Sequence, residues 1–139
     1  MTKRSIIKAL SVVPKLNQTE RVDFLRVIGF TPFKVKNPYC EIYKNEDLQM
    51  VVKNGFFFGV APKHIKVATV LLDKEHDFDH SNRVWVRQPL VNTENPAKAL
   101  EQVKARLAKR KRKSFVDVHR WNVGHIKKNG RWKAVVFDW

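Results

Sequence analysis

Residues 95–137 read NPAKALEQVKARLAKRKRKSFVDVHRWNVGHIKKNGRWKAVVF. Asn95 before Pro96 is a helix start: the Asn side chain accepts from a free amide of the first turn, and proline at the first helical position has no N–H to lose. Ala97, Leu100, Val103 and Leu107 recur at i, i+3, i+6 and i+10, one apolar stripe. Lys98, Lys104, Arg106, Lys109 and Arg110 fall on the other faces. The spacing predicts a helix ending within Lys111–Lys113. Ser114–His119 then alternates as a short strand. Val123–Lys127 and Trp132–Phe137 flank Lys128-Asn129-Gly130, and Asn-Gly between apolar runs predicts a tight hairpin. A helix followed by an antiparallel hairpin sets the class as α+β.

The preceding residues extend the pattern. Met1–Leu16 reads as a short amphipathic helix closed by Pro14. Asn17 with Glu20 is a capping-box spacing, Val22, Phe24, Leu25 and Ile28 follow at helical intervals, and Gly29 supplies a stop. Strand-like composition covers Phe33–Lys36, Tyr39–Tyr43, Leu48–Val52, Phe56–Val60, Ile65–Leu72 and Val84–Arg87. Lys53-Asn54-Gly55 predicts a second hairpin turn by the same logic as 128–130. No stretch has linker composition. The expectation is one compact α+β domain over 1–139, a mainly antiparallel sheet with two or three helices.

Arg21–Val52, a helix, then Gly-Phe, then a hairpin, resembles in outline the small double-stranded-RNA-binding-type domains of toxin ribonucleases. The resemblance covers about a quarter of the chain. The histidine that such a toxin would place near its first hairpin is replaced by Asn37-Pro38-Tyr39-Cys40, so no activity is carried over.

The chain has 139 residues, 28 Lys or Arg against 13 acids, a net charge of +15 and a pI near 10.3. Such a surplus opposes compaction by self-repulsion, and a polyanionic partner offsets it. Between Lys98 and Lys133 lie 13 cations and two acids, Glu101 and Asp117, so this stretch carries +11. Helix-end cations are favoured by the macrodipole, which accounts for two or three of them but not for the seven within 104–113. A phosphate-binding surface segregates charge in this way. Arg106, Arg110, Arg112, Arg120 and Arg131 can hold a phosphate or a guanine edge bidentately. Lys104, Lys109, Lys111, Lys113, Lys127, Lys128 and Lys133 would add sequence-independent attraction. Trp121, Trp132 and Trp139 are interleaved with these cations as a stacking surface would be. Taken singly, each of Trp121 and Trp132 is expected in the core, because Trp is buried on average.

Asp73, Glu75, His76, Asp77, Asp79 and His80 crowd into eight residues. His76 and His80, with Asp77 and Asp79, are the candidate metal ligands of a nuclease, since i, i+4 histidines on a helix can share one ion. The spacing is not that of a metalloprotease helix, and a polar loop is the expected state. The single Cys40 excludes an internal disulfide and cysteine-based zinc sites, and it reads as a core thiol in a reducing compartment. Lys8 interrupts the apolar start, so no leader peptide is expected there. No apolar run reaches the ~18 residues of a bilayer span.

The expectation for function is a cytoplasmic, nucleic-acid-associated binding protein, non-catalytic and without cofactor, that holds duplex DNA through the 96–113 helix and the C-terminal hairpin. The rivals are a metal-dependent nuclease built on residues 73–80 and a module for an acidic protein partner. A phage origin is an expectation from size and charge alone.

Overall fold

A computed structural model describes residues 1–37, 40–56, 65–72, 83–109 and 118–137, with backbone only for 34–37, 40, 55–56 and 83–84. The chain is α+β: among the described residues it has three α-helices, a five-stranded antiparallel sheet and a two-stranded one. It falls into two compact units, neither continuous in sequence: Met1–Phe57 with Thr69–Leu90, and Phe58–Ala68 with Val91–Trp139.

The first unit opens with α1 (Lys3–Ala9), capped by Thr2, whose Oγ1 accepts from the Ser5 amide at 3.1 Å. Pro14 does not close this helix. The α-helix already ends at Ala9 and tightens into a 3₁₀ helix over Leu10–Lys15 that contains Pro14. The capping box of α2 (Gln18–Val27) forms as its spacing predicts: Asn17 N donates to Glu20 Oε1 at 3.0 Å and Glu20 N to Asn17 Oδ1 at 2.9 Å.

The sheet of this unit comprises β1 (Thr31–Asn37), β2 (Cys40–Asn45), β3 (Met50–Phe56), β4 (Val70–Leu71) and β5 (Arg83–Pro89), in the order β1-β2-β3-β5-β4. Pro32 falls on the edge strand β1 beside a register shift, where a missing N–H costs least. Tyr43, Met50, Val52 and Trp85 meet Ile6, Leu10, Val13, Leu25 and Ile28 in one apolar cluster. Hydrophobic burial of this kind, at about 25 cal/mol per Å², is what holds the helices to the sheet.

Lys53-Asn54-Gly55 is not a turn. All three residues lie inside β3, where Lys53 pairs with Ile42 on β2 and Val86 on β5, and Asn54 with Glu41 and Trp85. Two ladders compete here against one local turn preference, and the ladders win. The turn that enters β3 comes earlier, at Glu46–Gln49.

A buried ion pair ties α2 to β2. Glu41 is 3 % exposed and takes Arg21 Nη2 and Nε on Oε2 at 2.7 and 2.9 Å, while Tyr43 Oη donates to Oε1 at 3.0 Å. Arg21 also donates to the Leu16 carbonyl and lies 5.0 Å over the Trp85 ring. Burial first, and the Glu41 charge second, raise the Tyr43 phenol far above its ordinary value.

Candidate nucleic-acid interface

The second unit is a helix on a hairpin. α3 (Pro96–Ala108) starts at Asn95, whose Oδ1 accepts from the Lys98 amide at 3.3 Å. It ends at Ala108 with Lys109 as C-cap, short of the expected 111–113. Its buried stripe is Ala99 and Val103 with Leu100 and Leu107 at the margin, and Ala97 is exposed. The i, i+4 pair 99–103 matches the 3.6-residue turn more closely than an i, i+6 step does.

The hairpin of β6 (Val123–Lys128) and β7 (Arg131–Val136) forms where the sequence places it. Asn129 and Gly130 have φ of 52° and 76°, the paired left-handed conformation of a two-residue turn that matches strand twist. Two further segments border the ladder. Val136 N donates to Ile65 O at 2.6 Å and Val67 N to Val136 O at 3.1 Å; Asn92 and His125 exchange bonds of 2.8 Å. The second contact requires Gly124, because a Cβ there would lie 2.3 Å from Val91 Cγ1 and 2.6 Å from the Asn92 carbonyl oxygen.

Strand alternation sorts the hairpin side chains. Ala134, Val136 and Val123 pack under α3, so Trp132, Lys127 and His125 share that face. Arg131, Lys133 and Lys128 take the other. Lys98, Lys104, Lys109, Arg120, Lys127, Lys128 and Arg131 are exposed, and Lys133 is half-buried. Among the described residues, none of these eight has an ion-pair partner. Arg106 is partly committed to the fold: its Nη1 donates to the Ala134 carbonyl at 3.2 Å. Burial, then the charges of Arg106 and Lys128, lower the Lys133 ammonium below its ordinary value.

Trp121 and Trp132 are 79 % and 58 % exposed, which overturns the expectation of core packing for each. Trp121 lies in a tight turn in which His119 N donates to Asn122 Oδ1 at 2.9 Å and Asn122 N to His119 O at 3.0 Å. Trp132 is on the α3 face beside the turn, past the buried Ala134.

Trp132 forms one wall of an open cleft of about 330 Å³, with Asn92, Glu94, Asn95, Lys98 and His125. His125 Nε2 donates to Gln102 Oε1 at 2.7 Å. Its pKa is lowered by burial first and by Lys98 second. Asn92 Oδ1 accepts from the Glu94 amide at 2.9 Å. Both asparagine carbonyls are therefore engaged, and among the described residues both Nδ2 groups remain as donors. The basic region expected from sequence, about 98–133, includes Lys98 and Trp132 of this cleft but assigned no role to Asn92, Glu94 or His125. The cap Asn95 and the alternation of 123–128, which turns His125 toward α3, were the signals that could have found it.

Arg110, Lys111, Arg112, Lys113 and Trp139 lie outside the described residues, as do Asp73, Glu75, His76, Asp77, Asp79 and His80. Among the described residues no group of three or more His, Cys, Asp or Glu could hold a metal ion, and no helix is long and apolar enough to cross a membrane. No protein-family model, curated protein or solved structure matches the chain.

Proposed function

We propose that the chain binds nucleic acid, DNA in preference to RNA, by phosphate contacts from its second unit and without cleaving it. The carrying observation is uncompensated charge. The second unit holds 15 Lys or Arg against 4 acids, +11, while the first holds 13 against 9, +4. Among the described residues, the exposed cations of the hairpin and α3 have no carboxylate partners, whereas Lys44 in the first unit pairs with Glu46 at 3.0 Å. A polyanion supplies the missing countercharge, and release of its condensed cations drives association.

Fluorescence anisotropy against a DNA duplex across a salt series tests this. The logarithm of the binding constant should fall linearly with the logarithm of salt, by roughly 0.9 per phosphate contact. No binding at low salt, or affinity indifferent to salt, would overturn it. A nuclease-resistant complex with an acidic protein would then be the next partner class to examine.

A further inference from the structure

We propose that the cleft between the start of α3 and the hairpin takes one unpaired nucleotide of a polynucleotide strand, with its base stacked on Trp132 and its phosphate held by Lys98. This rests on the nucleic-acid function proposed above and adds a single-strand specificity to it.

Four features converge. The volume, about 330 Å³, falls at the small end of the range for ligand clefts. Trp132 is 58 % exposed on that wall, and stacking a base would remove an indole face from water. The polar rim offers donors and acceptors together: Nδ2 of Asn92 and Asn95, the Glu94 carboxylate, and Nδ1 of His125, whose Nε2–H is already used by Gln102. A base edge, which carries both kinds of group, is the complement of such a rim. Finally, the cleft holds one cation, Lys98, and one carboxylate, Glu94. That balance suits the single charge of a phosphodiester better than the several charges of a free nucleoside triphosphate. Lys127, the cross-strand partner of Trp132, lies on the same face to meet a neighbouring phosphate.

A base-paired duplex cannot present a base to this wall, because its faces are already stacked. Anisotropy titrations of single-stranded oligo-dT, single-stranded oligo-U and a DNA duplex should therefore separate on one side chain. Trp132→Ala should weaken single-strand binding about 5- to 150-fold and leave duplex binding within about twofold. Trp132→Phe, which keeps an aromatic face, should recover most of the loss. Lys98→Ala should reduce the single-strand salt slope by about 0.7, one phosphate contact. The larger loss, on oligo-dT or oligo-U, identifies the strand. Salt-dependent binding that Trp132→Ala leaves unchanged, or weakens equally for strand and duplex, would overturn the cleft and spare phosphate binding. Absence of salt-dependent binding by the unmodified chain to any of the three would overturn both.

Discussion

Arg21 and Glu41 show how one buried charge constrains its neighbours. Glu41 has its two oxygens occupied by Arg21 and Tyr43 and almost no contact with water. Arg21→Ala would leave a carboxylate buried without its counter-charge. It should cost about 3–5 kcal/mol in denaturant unfolding, far more than an exposed pair is worth. Gly124 is constrained by space instead. Gly124→Ala should cost roughly 1–3 kcal/mol, read as a lowered Tm, because beyond Val91 Cγ1 the Asn92 carbonyl, backbone rather than a flexible chain end, also stands in the way. At this scale the caps Asn17 and Asn95 were legible in sequence, since each acts on an amide three residues away. The exposure of Trp121 and Trp132 was not legible, since it depends on which neighbours the fold provides.

At the scale of elements, one triplet has two fates. Lys128-Asn129-Gly130 turns because a register-matched partner strand follows it directly. Lys53-Asn54-Gly55 stays extended because β2 and β5 flank it on both sides. The triplet is identical, so only non-local pairing distinguishes the outcomes, and that information is not present in a short window. The packing of α3 on its hairpin has a pH signature through His125. Its folded pKa lies below the ordinary 6.5, so the unfolded chain takes up the proton first. Its contribution to stability is complete above about 6.5 and is lost as pH falls toward the lowered folded value. His125→Gln should flatten that part of a plot of Tm against pH. The hairpin cations give a binding signature. Lys127→Glu with Lys128→Glu should lower duplex affinity and reduce the salt slope by roughly two contacts, about 1.8, while the exposed positions keep the melting curve close to that of the parent.

Over the whole molecule, charge and chain path carry the consequences. A net +15 repels itself, so a bound duplex should stabilise the fold. At a hundredfold excess over Kd the gain is about 2.7 kcal/mol, visible as a raised Tm that declines with added salt. The α+β class was legible because the helix and hairpin signals are strong and local, and so was the basic character of the second unit. The division into two units was not, because the chain passes between them at 57–58, 68–69 and 90–91 with no compositional change to mark the crossings.

That interleaving sets an order in time. Every strand of the five-stranded sheet has been synthesised once Leu90 is made, but Ile65 and Val67, made earlier, hydrogen-bond with Val136 in the last strand. The gap is 46 residues, roughly 2–9 s at ~5–20 residues per second. For that interval the segment holding two buried apolar side chains has no partner strand on the ribosome. A nascent chain paused within it would present Ile65 and Val67 to whatever binds exposed hydrophobic strands.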